Sequence, residues 1–322
     1  MTWRRPLLLG GCGNSSGARR CTRNCLRELL AGISLSGDMT FDSLLSHPAA
    51  QIFSTISRAG FASWLQARSF FDWHAHLYSY AMAVAQAALT PDFLILGVIW
   101  YIVFLFSTTC HEGAHSLIAK LGGDSTAFHG GQVTLNPLPH IRREPFGLVV
   151  VPILSYFVAH WMIGWASAPY DPAWQQRYPR RAAWMALGGP AANFTLVILS
   201  AIAIRAGIFF RVFGMPESVS FTHVVEPVGP GLAGFAATFL SIVFVLNLLL
   251  GTFNLLPVPP LDGNTGITLF MSGETAMRFL NWSRSQGFGM IGLLLAWYVY
   301  DKLFPYIFRF ALAALYPGSH WG

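Results

Sequence analysis

The sequence predicts an all-α polytopic membrane protein, and three observations carry that prediction. The first is a shortage of charge: 11% of the 322 residues are Asp, Glu, Lys or Arg and 54% are hydrophobic, against roughly a quarter charged in soluble domains. The second is a series of apolar runs over 93–110, 147–168, 182–204, 232–256 and 287–316, which approach or exceed the roughly 20 residues needed to cross a bilayer. The third is the placement of positive charge. Although the net charge is +6, the basic residues sit in short loops beside the apolar runs, where Lys and Arg orient a chain in the membrane. The expected partner is therefore the lipid bilayer, and nucleic acid is not expected.

Residues 1–47 read as a disordered tail, or as an over-long reading frame whose start is Met39. The run "PLLLGG" is too short for the apolar core of a secretory signal. Cys12, Cys21 and Cys25 lack the fourth ligand and the tight spacing of a zinc knuckle. Residues 48–90 mix Phe, Trp and Ser with few charges, and "YSYAMAVAQAAL" is too short to span. Helices lying at the membrane surface are expected there.

Residues 91–270 form the expected core. It opens with the apolar run "FLILGVIWYIVFLFS", which leads into "HEGAH" at 111–115. Residues 121–146 are rich in Gly and Pro around the alternating stretch "QVTLN", which reads as a short strand or hairpin with an exposed edge at Val133 to Leu135.

The run 147–168 has two possible courses. If it spans, "HEGAH" and the later "PPLDGN" fall near opposite faces. If it dips in and returns, as Pro152, Gly164 and Pro169 permit, then Lys120, Arg142, Arg143, Arg177, Arg180 and Arg181 share one face. The loop 205–231 then carries no basic excess. The charge bias favours the re-entrant course, with "HEGAH" toward the cytoplasmic half. Residues 271–322 supply a C-terminal membrane helix or helices, because Asp301, Lys302 and Pro305 leave one or two crossings open.

Chemistry concentrates in a few motifs. Residues four apart on a helix share a face, so His111 and His115 can present imidazoles to one metal ion while Glu112 serves as base for a bound water. Three protein ligands are usual in a catalytic zinc site. Asp262, in "NLLPVPPLDGN", is the outstanding third candidate: no Lys or Arg lies between Arg211 and Arg278 to pair with it. The plainer alternative makes Asp262 the cap of a helix starting near Thr265.

Gly188, Gly189 and Pro190 in "LGGPAANF" favour close helix approach. Asn193 either donates to a reacting carbonyl or links helices. Asn247 and Asn254, two turns apart, share an inward face, and one of them is a candidate for hydrogen bonding to substrate or oxyanion. His160 reads as an interhelical hydrogen-bond donor. A di-iron desaturase would need HxxHH boxes, and the sequence has none.

Taken together, "HEGAH", "LGGDSTAFHGGQVTLNPLPHI", "GGPAANF" and "FNLLPVPPLDGN" resemble the site-2 protease family of intramembrane zinc metalloproteases, peptidase family M50, in its compact branch without a PDZ domain. The resemblance covers about residues 95–270. It implies a catalytic core of three transmembrane helices and one Zn2+ per chain held by His111, His115 and Asp262. It also implies Glu112 as catalytic base and supporting roles for Asn193 and Asn254. The expected activity is that of a zinc metalloendopeptidase cutting within or near transmembrane segments of membrane-protein substrates, in a bacterial inner membrane. Where the branch usually continues "HIDP", this chain reads "HIRREP". A scaffold or metal-binding protein of the same fold that no longer cleaves is the alternative.

Overall fold

The computed structural model describes residues 90–229, 231–285 and 288–318; the expectations for the tail and for most of 48–90 lie outside them. Three described helices are long and apolar enough to cross a membrane: α1 (Pro91–Leu121), α6 (Pro179–Phe209) and α7 (Leu232–Asn254). The remaining helices are α2 (Thr126–His129), α3 (Pro137–Arg143), α4 (Val151–Ala159), α5 (Pro172–Arg177), α8 (Asp262–Gly266), α9 (Gly273–Ser285) and α10 (Phe288–Leu315). A two-residue antiparallel pair, β1 (Phe213–Gly214) and β2 (Glu226–Pro227), lies in the loop between α6 and α7. The chain is an all-α polytopic membrane protein.

Local chemistry explains the ends of these elements. Thr90 caps α1, accepting from Phe93 N, and Pro91 follows where a missing N–H costs nothing. Asn136 and Asp171 cap α3 and α5 in the same way, each ahead of a proline. Side chains such as Leu94, Ile95 and Val98 on α1 and Ile198, Leu199 and Ile202 on α6 stay exposed, as suits helices whose outer solvent is lipid. Inside, Trp100, Val103 and Phe104 of α1 pack with Leu148, Tyr156, Ile242 and Leu246. A second cluster joins Ile204 and Phe244 to Tyr300 and Phe304 of α10. That last helix is continuous through Pro305, so the C-terminal run forms one helix.

The expected strand at "QVTLN" does not form. Residues 133–135 are bends between α2 and α3, with no ladder. Alternation marks a strand only when a partner offers its edge, and here local bonds take the backbone instead. Asn136 N donates to the Thr134 hydroxyl at 3.0 Å, and the Thr134 carbonyl meets His140 Nε2 at 3.2 Å. A Cβ on Gly113 would stand 3.1 Å from that carbonyl, so the segment lies directly against α1.

The run 147–168 turns back on itself. A π-helical turn (Phe146–Val150) leads into α4, giving 14 helical residues and about 21 Å, short of the roughly 30 Å hydrocarbon core. The chain reverses at His160, whose φ of 62° is left-handed and whose ring sets its edge on Phe93 at 5.4 Å. It then returns alongside: Ile163 N donates to the Ser155 hydroxyl at 2.9 Å and Trp165 N to the Gly147 carbonyl at 3.2 Å. Gly147 and Gly164 meet at this contact, where a side chain on either would strike the facing backbone. The two ends of the hairpin are clasped together, Arg143 Nε donating to the Ser167 carbonyl at 3.1 Å and the Ser167 hydroxyl to Glu144 at 2.6 Å.

Candidate metal centre

His111 and His115 occupy the last three turns of α1, and both are buried. The helix brings their rings together, with the Nε2 atoms 3.0 Å apart. Asp262 comes from the opposite end of the core. After α7 the chain bends through "LLPVPP", and Gly263 presses so closely on the Leu255 and Leu256 carbonyls that only glycine fits. This fold-back turns Asp262 onto α1, with Oδ2 3.0 Å from His111 Nε2 and 3.3 Å from His115 Nε2. Asp262 is the first residue of α8 and makes no cap bond, so its carboxylate faces the histidines rather than its own helix.

The three atoms suit a metal ion. Tetrahedral zinc with ligands at about 2.0–2.1 Å places those ligands about 3.3 Å apart, close to the triangle seen. Asp262 Oδ2 is buried and accepts no hydrogen bond although two ring nitrogens flank it. An orphaned buried carboxylate oxygen is costly unless a cation completes it. The space is also kept open: a Cβ on Gly189 of α6 would press on both Nε2 atoms.

The far sides of the rings are held by acceptors. His115 Nδ1 lies 2.7 Å from the Met185 carbonyl, and His111 Nδ1 lies 2.6 Å from Asn193 Oδ1. Since a carbonyl oxygen only accepts, each Nδ1 carries the proton and each Nε2 is left with its lone pair. Glu112, buried in the same helical turn, lies near enough to His115 to interact with it electrostatically.

Of the asparagines, Asn193 reaches this centre, and its Nδ2 is donated to Asn247 at 2.8 Å. Both ends of its amide are thereby engaged in this network. Asn254 is half-buried, and its Nδ2 donates to the Leu250 carbonyl one turn back. Sequence reasoning did not assign Gly189, Met185 or Ser107 to the centre. Gly189 was visible as half of a Gly-Gly pair in an apolar helix. The Met185 carbonyl has no sequence signal.

Among known proteins, residues 99–299 match peptidase family M50. The chain is 31% identical over 163 residues to the Bacillus subtilis (strain 168) protein named "Putative zinc metalloprotease YwhC", covering 50% of this chain and 64% of that protein. It is 30% identical over 192 residues to "Putative zinc metalloprotease Rip2" of Mycolicibacterium smegmatis (strain ATCC 700084 / mc(2)155), covering 60% of this chain and 64% of that one. The chain thus spans under two thirds of the length of these relatives. No solved structure matches it at comparable significance. With more than half of its residues inside the family match, the chain belongs to peptidase family M50.

Proposed function

We propose that this chain is a zinc metalloendopeptidase that hydrolyses peptide bonds within or near transmembrane segments of membrane proteins. The observation that carries the reading is the convergence of two bare imidazole nitrogens and an orphaned carboxylate oxygen beside a buried glutamate. His111, His115 and Asp262 would hold the ion. A bound zinc supplies Lewis acidity there, lowering the pKa of a water and polarising a carbonyl.

The chain's own residues do the rest. Glu112 takes a proton from the attacking water and passes it to the leaving amine as the C–N bond breaks, so the proton count balances. Asn193 and the Met185 carbonyl hold the two rings in place. The clasped hairpin 146–167 shields one side of α1 from lipid, and its returning non-helical stretch suits a position inside protein. A substrate helix must unwind before cutting, because its carbonyls are otherwise tied into the helix. Membership of a protease family and three apolar helices support the reading. The placement of the "HEGAH" end toward the cytoplasm rests on the basic loops around it.

Zinc per chain and cleavage of a model transmembrane substrate, measured together in detergent, test the proposal. Wild type should hold about one zinc, as the three-ligand site requires, and cleave. Asp262→Ala should lose both properties. Glu112→Gln should keep zinc and lose cleavage. Wild type that folds without zinc would overturn the reading, and Glu112→Gln with full function would favour a scaffold.

A further inference from the structure

A buried polar network reaches the metal centre from behind, continuing beyond the Asn193 contact that holds His111. Asn193 of α6, Asn247 of α7 and Ser107 of α1 are all fully buried. Their hydrogen bonds run in series. Asn193 Oδ1 faces His111 Nδ1 at 2.6 Å, and Asn193 Nδ2 donates to Asn247 Oδ1 at 2.8 Å. Asn247 Nδ2 in turn donates to the Ser107 hydroxyl and to the Val243 carbonyl, each at 2.8 Å.

One end of this series is fixed by chemistry. A backbone carbonyl only accepts, so Val243 obliges Asn247 to turn its NH2 that way. Asn247 Oδ1 then faces Asn193 and obliges that amide to present its own NH2 there. Asn193 Oδ1 is left toward His111, where an acceptor keeps the proton on Nδ1.

A flipped Asn193 amide would point N–H at His111 Nδ1. It would favour a proton on Nε2, the atom that faces His115 and Asp262. Asparagine avoids burying a second charge in the membrane core, but it can flip where a carboxylate would not matter either way.

We propose that Asn247 is a positioning residue for the metal. Anchored by Val243 and Ser107, it fixes which end of the Asn193 amide faces His111, and so keeps the His111 Nε2 lone pair directed at the ion. The proposal rests on the reading of His111, His115 and Asp262 as zinc ligands.

Zinc affinity of the full chain in detergent, measured by competition with a chelator, tests it across four proteins: wild type, N247L, N193D and N193D/N247L. Loss of a partner that orients a ligand costs about 10- to 100-fold in metal affinity, and N247L should show a loss in that range. N193D keeps an acceptor on His111 whichever way it turns, but its second oxygen then faces Asn247 Oδ1, so it should bind more weakly than wild type. Adding N247L to N193D should then cost nothing further, because orientation no longer matters and the two facing oxygens are gone.

Equal losses in both backgrounds would mean that Asn247 acts through helix packing, and would overturn the proposal. Unchanged affinity in N247L alone would do the same. Wild type without zinc would instead remove the metal reading itself. Should N247L fail to fold, N247A in the same two backgrounds decides: a loss confined to the Asn193 background supports the relay, and equal losses overturn it.

Discussion

At Gly189 the absence of a side chain leaves room for an ion. A methyl group there would press on both ligand nitrogens, while the rest of α6 would be undisturbed. Gly189→Ala should therefore fold, yet bind zinc more than about tenfold more weakly, a loss of about 1.4 kcal/mol or more. Metal analysis beside a thermal melt checks this, and full zinc content would show that the backbone yields.

The residues at this scale were unevenly legible. His111 and His115 follow from helical spacing alone. Asn247 was readable as an inward-facing asparagine, but it was paired with Asn254 on the same helix face. Periodicity reports the face of a residue and not its depth against the neighbouring helix. Seven residues place the two asparagines about 10 Å apart along α7, so Asn247 meets Asn193 and Ser107 while Asn254 bonds back to Leu250.

Among the elements, the hairpin is the part whose course the charges foretold and whose packing they did not. Basic residues on both flanks argued for a return to the same side. The glycine crossing at 147 and 164 and the clasp at Ser167 required coordinates. Gly164→Ala should destabilise the protein by about 1–3 kcal/mol through overpacking, seen as a lower unfolding midpoint; an unchanged midpoint would mean the hairpin has slack.

Topology can be read directly with the native cysteines replaced by serine. Arg142→Cys and Ala173→Cys should react with an impermeant maleimide from one side of the membrane, and Glu217→Cys from the other. Labelling of Arg142→Cys and Ala173→Cys from opposite sides would refute the re-entrant course.

Asp124 links α1, α2 and α5 in the same region. Burial pushes its carboxyl up, but the hydroxyl and N–H of Thr126 and the N–H of Asp171 outweigh this and hold it below the usual carboxylate range. Such a group stabilises the fold above its unfolded pKa, and that contribution is lost as pH falls through the folded value. Asp124→Asn should lower stability at neutral pH and reduce its fall in acid. A parallel pH profile for the variant would argue against these bonds.

For the whole molecule, the proposed ligands come from both ends of the core, α1 and α8, so an ion bound there closes the structure across α6 and α7. Ligand binding to the folded state alone adds about 4 kcal/mol at a free concentration 1,000 times Kd. A strong chelator should therefore lower the unfolding midpoint of wild type and leave Asp262→Ala unmoved; equal shifts would place the stabilising ion elsewhere. The number and order of the core helices were legible, because runs of apolar residues are read one segment at a time. The fold-back that delivers Asp262 was legible only as a cluster of prolines, since its direction depends on Gly263 touching the end of α7.

The length of α1 has one more consequence. Its 31 residues make about 46 Å of helix, more than the hydrocarbon thickness, and Lys120 marks the end that meets water. His111 lies nine residues before Lys120, about 14 Å along the axis. The helix is in effect a depth gauge. On the proposed activity, a substrate would be cut two to three turns inside the end of its own span, and sliding the substrate's apolar segment along its axis should move the cut by the same number of residues.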